Sequence, residues 1–345
     1  MNQVSTASRS SDGNIGYVYS GDAEGLGLKV HEGDVPQPQA GEVLVKVKAA
    51  SINYRDLLVA NAKPAGLTPL SDGAGVIEEI GEGVTRWRTG DRVAAGFFRD
   101  WIDGPFEADY HSSARGGGNV SGMLTRYMLA RESELVALPD SLSFEEAATL
   151  PCAGTTAWSA LFGRAKIEAG DTVLVQGTGG VAIFGLQLAT AAGAKVIVTS
   201  SSDEKLDRAR SLGAWQTINY SKHPEWDEET LRLTDGLGVM HILDTAGQGT
   251  FERSLKAVRA GGSIAQIGGL AGFGPQLNLM RLQLINADIH GINVGSVASL
   301  QALINYLTKH SITPIVDRSY DFSQAPQAYE DLKAGRLFGK LVIRI

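Results

Sequence analysis

The sequence predicts an α/β protein in which a doubly wound, mostly parallel sheet is inserted between two parts of a β-rich domain. Between residues 172 and 269, strand-like and helix-like segments alternate, a pattern typical of parallel strands joined by helical crossovers. On either side of this region, short segments alternate apolar and polar residues, which predicts half-buried strands. The boundaries that this predicts are 1–150 and 296–345 for the β-rich domain and 151–295 for the inserted domain.

Composition excludes several classes of protein. With 345 residues, 43% of them apolar and 20% charged, the chain can bury the cores of two domains. Its 31 basic and 38 acidic residues give a net charge of −7, which argues against nucleic acid or a membrane surface as partner. Cys152 is the single cysteine, so the chain can form neither an internal disulfide nor a four-thiolate zinc site. Residues 1–20 lack the apolar run of a signal peptide, so we expect a cytoplasmic protein.

The first part of the chain is mostly strand and loop. Residues 42–50, EVLVKVKAA, alternate as a half-buried strand does, and 75–80 and 90–93 predict further short strands. Residues 97–122 are rich in Gly, Ser and aromatic residues without periodicity, which indicates a long loop. Two roles are open for its aromatic side chains: they cover an apolar substrate, or they attach the loop to the core.

The helical crossovers begin after the strand-rich part. Ser143 followed three residues later by Glu146 has the spacing of a capping box and predicts a helix start. Beyond it, strands are predicted at 172–176, 195–200, 240–246, 263–269 and 340–345, and helices at 179–192, 203–212, 250–260 and 298–309.

One uncharged stretch, residues 172–194, is long enough to cross a membrane. Gly177, Gly179 and Gly180 interrupt it close to its start. The stretch therefore divides into a short apolar strand and a helix, and we expect no membrane span.

The sharpest motif is the glycine loop between these two elements. Gly177 permits a tight turn, Gly179 lets backbone approach a pyrophosphate, and the small Ala182 lets the helix pack closely on the strand. A phosphate at this place meets free N–H groups of the helix N-terminus. The context of strand, glycine turn and helix therefore predicts a Rossmann dinucleotide site. Thr178, Gly180 and Val181 complete the loop.

The end of the next strand bears on which dinucleotide binds. An NAD enzyme usually carries a carboxylate there for the ribose hydroxyls, whereas this chain has Ser200 and Ser201, followed by Lys205 and Arg208. Hydroxyl and cationic donors suit a 2′-phosphate, so NADP(H) is favoured. NAD(H) stays possible because Asp203 could reach the ribose from one turn away. A purely structural alternative is that Ser201 caps the helix and Lys205 is solvated.

Four phrases of the sequence resemble a known family: 51–58 (SINYRDLL), 72–93 (DGAGVIEEIGEGVTRWRTGDRV), 173–182 (VLVQGTGGVA) and 337–345 (LFGKLVIRI). Together they resemble the medium-chain dehydrogenase/reductase superfamily, and 51–58 resembles its zinc-independent branch of quinone and enoyl reductases. The resemblance implies a GroES-like catalytic domain with a Rossmann domain in its cleft, usually as a homodimer, acting on a small-molecule substrate.

The resemblance also indicates where a catalytic zinc would be held. Zinc-dependent members have Cys, His and Cys at positions that here carry Asn53, Ser71 and Cys152. One thiol with an amide and a hydroxyl does not make a zinc site, so we expect no metal. Cys152 follows a proline in an apolar run without a nearby histidine, which favours a buried structural thiol over a nucleophile.

Without a metal, a nicotinamide enzyme can still reduce a carbon conjugated with a carbonyl if donors stabilise the developing oxyanion. Asn53 and Tyr54 are the candidate donors, and Tyr54 could also supply a proton. Alternatively, Asn53 orders a turn and Tyr54 is only a pocket wall. Arg55 and Asp56 are expected to pair. By resemblance, five further residues belong to the cofactor site: Thr156, Tyr220, Gly268, Gly269 and Lys340.

Three functions follow from these observations. The first is a zinc-independent, NADPH-dependent oxidoreductase that transfers hydride to an activated C=C bond or a quinone. The second is an NAD(P)-dependent alcohol dehydrogenase or carbonyl reductase without catalytic zinc. The third is a protein that binds NADPH without turnover.

Overall fold

The structure, a computed structural model, describes residues 13–21, 26–62, 64–270, 272 and 278–345. The prediction for residues 1–20 falls mostly outside these described ranges. The strands are β1 (Asn14–Tyr19), β2 (Leu28–Gly33), β3 (Glu42–Ile52), β4 (Asp72–Ile80), β5 (Arg92–Ala95), β6 (Tyr127–Arg131), β7 (Leu135–Ala137), β8 (Thr172–Gln176), β9 (Lys195–Ser200), β10 (Gln216–Asn219), β11 (Val239–Asp244), β12 (Val258–Gln266), β13 (Asp288–Gly291), β14 (Val316–Asp321) and β15 (Lys340–Arg344). The helices are α1 (Tyr54–Ala62), α2 (Phe144–Ala147), α3 (Thr155–Trp158), α4 (Gly180–Ala191), α5 (Asp203–Ser211), α6 (Trp226–Leu233), α7 (Phe251–Ala257), α8 (Leu279–Leu284), α9 (Val297–His310) and α10 (Ala325–Lys333).

The parallel sheet has six strands in the order β10-β9-β8-β11-β12-β13. Its central strands carry continuous buried apolar runs, as strands covered on both faces must; Val173, Leu174 and Val175 of β8 are fully buried. From β8 the chain adds strands first on one side, to β9 and β10, and then on the other, from β11 to β13. This change of side between β8 and β11 opens a crevice at their carboxyl ends. The predicted parallel sheet with helical crossovers is confirmed.

The second sheet is mostly antiparallel, in the order β14-β15-β3-β4-β5-β7, with β6 also paired to β3. The C-terminal strand β15 lies beside β3, with Leu341 opposite Ile52. The chain therefore leaves this sheet, builds the parallel sheet, and returns to the first one. This is the insertion that the sequence pattern predicts.

Most local predictions hold, with small shifts of boundary. Ser143 and Glu146 form the predicted capping box at α2. The helix predicted at 250–260 ends at Ala257, because Val258 is already extended and pairs with Val239 of the neighbouring strand. The serine that caps α5 is Ser202 and not Ser201. Residues 172–194 divide into β8 and α4, and within the described ranges no helix has the length and apolarity to cross a membrane.

The loop at 97–122 is held from two sides. Its rings pack against one another, with Phe98 and Trp101 5.9 Å apart between ring centroids and Trp101 and Phe106 4.9 Å apart. At its other end, the buried Arg115 guanidinium donates to the Glu134 carboxylate, which is buried as well. The aromatic side chains thus form a cluster of their own, and Val294, from outside the loop, packs into it.

Candidate active site

A cavity of about 590 Å³ lies between the carboxyl ends of the parallel strands and helix α1, which follows strand β3 of the other sheet. The residues predicted above as catalytic donors or as loop and cofactor contacts contribute to its wall, except Arg208. They are Asn53, Tyr54, Thr156, Gly177, Thr178, Gly179, Gly180, Val181, Ser200, Ser201, Lys205, Tyr220, Gly268, Gly269 and Lys340.

The glycine loop has the geometry that phosphate binding requires. Gly177 has φ +80°, a conformation that glycine adopts without strain, and it turns the chain from β8 into α4. At Gly179 a Cβ would meet no protein atom within 4 Å, so this backbone faces open space at the helix N-terminus. The residues present therefore fit a dinucleotide pyrophosphate. The Gly339 amide donates to Thr178 O at 3.0 Å, which joins this loop to the start of β15.

At the far end of the cavity, β9 ends without a carboxylate. Ser200 is buried and Ser201 is exposed, and Tyr220 forms part of the opposite wall. Lys205 Nζ donates to Gly335 O at 3.1 Å, and burial lowers the pKa of this lysine. Its ammonium group keeps N–H donors beyond that one bond. The Lys205 side chain is thus partly shielded from solvent, and its ammonium group still has N–H donors that the protein does not use.

Two charged residues near that end are paired elsewhere. Asp203 accepts hydrogen bonds from Lys222 Nζ at 2.6 Å and Asn219 Nδ2 at 2.7 Å, and it is not part of the cavity wall. Arg208, expected beside a 2′-phosphate, instead pairs with Asp317 at 3.2 Å. Arg208 is thus outside the cavity wall, since its guanidinium pairs with a carboxylate from a distant part of the chain.

The other end of the cavity is organised around Asn53. Lys340 Nζ donates to Asn53 Oδ1 at 2.5 Å and to Ile52 O at 2.6 Å. Both side chains are buried, with residue exposures of 8% for Asn53 and 3% for Lys340. The structure thus ties the Lys340 ammonium to the asparagine and to backbone on the β3 side, a contact that the sequence alone did not indicate.

Two buried carboxylates flank this pair. Asp72 accepts from Ser71 Oγ at 2.6 Å, and burial raises its pKa while Lys340 opposes the rise. Asp56 accepts from the backbone N–H of Asn53 at 2.8 Å and from Arg55 Nη1 at 3.1 Å, which confirms the expected Arg55–Asp56 pair. Burial raises the pKa of Asp56 to about 6, with Arg55 opposing.

The residues at the three zinc-ligand positions do not fit a zinc ion. Asn53 Oδ1 is occupied by an ammonium group, whose charge repels a dication, and the Ser71 hydroxyl donates to Asp72. Burial and the nearby Asp72 raise the pKa of the Cys152 thiol far above its usual range, which disfavours the thiolate that zinc requires. In the described part of the chain, no group of three or more His, Cys, Asp or Glu side chains could hold a metal.

Cys152 itself differs from its expected place. It is partly buried, packs against the cluster of Phe97, Phe98, Ala114 and Val294, and forms part of the cavity wall, so it is less enclosed than predicted. It lies in a π-helical turn (Leu150–Gly154) that precedes α3 and turns this segment toward the cavity. Thr156 donates its hydroxyl to Cys152 O at 2.7 Å.

Tyr54 and Phe97 form the wall near Asn53. Tyr54 is the first residue of α1 and is 44% exposed. Of the five Phe, Trp and Tyr residues in the loop 97–122, for which two roles were open, Phe97 alone contributes to this wall. An apolar acceptor would thus meet two rings here.

Sequence reasoning missed several wall residues, among them Thr245 and Asn293. Thr245 directly follows β11, and Asn293 lies two residues beyond β13. Ligands of doubly wound sheets bind beyond the carboxyl ends of the strands, so this rule could have found both residues.

Comparison with known proteins gives matches over nearly the whole chain. Residues 39–140 match the family model described as alcohol dehydrogenase GroES-like domain, and residues 180–309 match the model described as zinc-binding dehydrogenase. A zinc-type alcohol dehydrogenase-like protein of Schizosaccharomyces pombe is 44% identical over 92% of this chain and 95% of its own. A quinone oxidoreductase of Pseudomonas aeruginosa is 32% identical over 89% of this chain and 92% of its own. A solved structure from Sinorhizobium meliloti 1021, named as a candidate alcohol dehydrogenase, is 41% identical with a TM-score of 0.91, over 97% of this chain and 100% of that one.

Proposed function

The chain belongs to the medium-chain dehydrogenase/reductase superfamily and is an oxidoreductase of that family, and we propose that it is a zinc-independent, NADPH-dependent reductase of activated C=C bonds or quinones. One observation carries the proposal. The cavity that contains the dinucleotide loop ends at Asn53 and Cys152, and these residues, with the buried Ser71 at the remaining zinc-ligand position, form a donor set that does not fit zinc.

The absence of zinc ligands selects among acceptors. A bound metal can act as the Lewis acid that stabilises the alkoxide when a simple alcohol is oxidised. A conjugated acceptor spreads the developing negative charge onto a carbonyl oxygen, which hydrogen-bond donors can stabilise. When bound, reduced nicotinamide supplies the hydride. At this end of the cavity the wall includes Asn53 and Tyr54, and Tyr54 offers a hydroxyl that can donate a proton.

NADP(H) is favoured over NAD(H) by the far end of the cavity. The hydroxyl groups of Ser200 and Ser201 and the ammonium of Lys205 belong to the wall there, whereas the Asp203 carboxylate is paired outside it. Donors without a carboxylate suit a 2′-phosphate.

An alcohol dehydrogenase or carbonyl reductase is the second candidate, favoured by the name of the relative at 44% identity. The two candidates differ in their acceptor. NADPH and NADH consumption would be followed with a quinone, an enone and an aldehyde, before and after exhaustive chelation. Turnover of quinone or enone that survives chelation supports the proposal. Turnover of the aldehyde alone supports the second candidate, and loss of activity on chelation would overturn the metal-free site.

We also propose a homodimer. Strand β13 is an edge of the parallel sheet, and helix α8 exposes Leu279, Met280 and Leu284 at 66–77%. Unpaired strand edges and exposed apolar side chains are surfaces that association covers. Analytical ultracentrifugation tests this, and a monomer at micromolar concentration would contradict it.

A further inference from the structure

We propose that Arg55 is a catalytic residue: its guanidinium binds the acceptor oxygen on which negative charge develops during reduction. The inference rests on the proposed function and adds to it the group that stabilises the product of hydride transfer. It stands on the place of Arg55 in the cavity wall, on the donors that its guanidinium keeps free, and on the contacts that fix its position.

The charged side chains among the described residues of the cavity wall are all basic. They are Arg55, Lys205, Lys333 and Lys340. Lys205 bonds to Gly335 O at the far end of the cavity, and Lys333 lies two residues before that glycine. At the acceptor end, where Asn53 lies, Lys340 is only 3% exposed and already donates to two protein oxygens. Arg55 is therefore the cation at the acceptor end that can serve a ligand.

The Arg55 guanidinium has donors that the protein does not use. Its Nη1 donates to Asp56 Oδ1 and to Arg115 O, both at 3.1 Å, so both N–H bonds of that nitrogen are occupied. Nε and Nη2 carry three more N–H bonds, and no described residue accepts a hydrogen bond from them. Neither nitrogen is fully buried, and the side chain is 22% exposed. These donors can therefore meet an oxygen of a ligand in the cavity.

Three neighbours fix the guanidinium before a substrate arrives. Its Cζ lies 4.9 Å from the ring centroid of Phe97, which is also part of the cavity wall. The fully buried Asp56 carboxylate holds Nη1. On a third side the group lies against Gly117, where an added Cβ would be 1.8 Å from Nη2. A donor that is fixed in advance stabilises developing charge without a cost of reorganisation.

A fixed guanidinium suits the chemistry of the proposed reaction. Hydride addition to a conjugated enone forms a new C–H bond and moves the C=C electron pair onto the carbonyl oxygen, which becomes an enolate; a quinone gives a hydroquinone anion. Hydrogen bonds strengthen as charge accumulates on their acceptor, so Arg55 stabilises the transition state more than the bound substrate. A guanidinium does not give up its proton, so the proton that completes the reduction comes from the Tyr54 hydroxyl or from water.

Two substitutions act on the guanidinium in different ways. Arg55→Met removes it. Gly117→Ala displaces it, because the new methyl group overlaps Nη2 while the positive charge stays on the chain. Since that overlap is with the end of a flexible side chain, we expect Gly117→Ala to fold. Gly163→Ala is the matched control, because Gly163 is exposed, lies outside the cavity and has room for a Cβ.

Turnover is measured on the full-length enzyme with whichever acceptor the wild type reduces. We expect Arg55→Met to lower kcat about 100-fold, the typical effect of losing one oxyanion donor. Gly117→Ala should lower kcat about 10-fold or more, because it misplaces the donor. In both variants the Kd of NADPH should change by less than about 2-fold, since the loss is confined to the transition state.

Binding of an oxyanion gives a readout that needs no turnover. The probe para-nitrophenolate carries its charge on an oxygen attached to a conjugated ring, as the reduced acceptor does, and para-nitroanisole has the same ring without the charge. Both are titrated calorimetrically into protein saturated with the oxidised cofactor. Arg55→Met and Gly117→Ala should raise the Kd of the phenolate about 10-fold or more and leave the Kd of the anisole within about 2-fold.

Other outcomes overturn the inference. A kcat of Arg55→Met within about 3-fold of the wild type would exclude a catalytic role. Equal losses of affinity for the phenolate and the anisole would mean that Arg55 only shapes the cavity, and a wild type that does not prefer the phenolate would refute an oxyanion site. If Arg55→Met does not fold because Asp56 has lost its partner, Gly117→Ala decides: retained kcat and retained phenolate affinity in that variant would refute the proposal. If the wild type reduces no acceptor, the proposed function is refuted, and the phenolate titration still tests Arg55.

Discussion

Replacing Gly179 by alanine should weaken cofactor binding while leaving the fold intact. The backbone of Gly179 has φ −78°, which any residue adopts, and an added Cβ meets no protein atom within 4 Å. The methyl group would stand in the open space at the N-terminus of α4, which is where the fingerprint places the pyrophosphate.

The expected sizes of the two effects differ clearly. In the free protein, alanine is less favourable than glycine at the helix N-cap, but it also lowers the conformational entropy of the unfolded chain. These effects oppose each other, so the unfolding free energy should change by less than about 1 kcal/mol. For the complex, displacing the phosphate by a methyl radius removes at least one charge-assisted hydrogen bond, worth about 1.5–3 kcal/mol. That corresponds to a rise of about 10- to 150-fold in Kd.

The assay is fluorescence titration of NADPH, with urea unfolding of the cofactor-free protein alongside. Gly163→Ala is a matched control, since Gly163 is exposed, outside the cavity, and has room for a Cβ. Both variants should unfold like the wild type, and only Gly179→Ala should lose affinity. An unchanged Kd in Gly179→Ala would show that no phosphate lies against this backbone.

Three further predictions concern buried and charged groups. Glu134→Gln should lower the unfolding free energy by about 3–5 kcal/mol, because it leaves the buried Arg115 charge without its partner; urea unfolding measures this, and a loss below about 1 kcal/mol would contradict it. Burial lowers the pKa of His241 from 6.5, and the nearby Asp171 opposes this shift, so the unfolded chain binds the proton at a higher pH than the folded protein does. The stability that neutral His241 contributes is therefore present above pH 6.5 and is lost as pH falls below it. His241→Gln should therefore flatten the pH dependence of urea unfolding below 6.5, and equal slopes in both proteins would be the contrary result. Lys205→Met should raise the Kd of NADPH by about 10-fold with little effect on NADH; equal changes for both would refute a 2′-phosphate contact.

The cofactor loop could be predicted because all the features that define it come from residues that are adjacent in the sequence. A strand, a glycine with positive φ, a small residue and a helix start occupy adjacent positions, and Gly177 and Gly179 have the conformation and the open space that the fingerprint demands. No distant contact is needed to interpret them.

The catalytic end could be predicted only in part. Asn53 was recognisable, but its partner Lys340 is 287 positions away and reaches it through the pairing of β15 with β3. Nothing in the periodicity of a strand indicates that register. The pairing of Arg208 could not be predicted for a similar reason, because its partner Asp317 belongs to a strand of the other sheet.

The hydrogen bond between the Gly339 amide and Thr178 O links the glycine loop of the parallel sheet to the last strand of the other sheet. The turn that faces the phosphate cannot shift unless the final strand of the other sheet shifts with it. Free energy from nucleotide binding therefore enters the unfolding of both sheets together. On heating, the saturated protein should melt in a single cooperative transition, at a temperature that rises with nucleotide concentration.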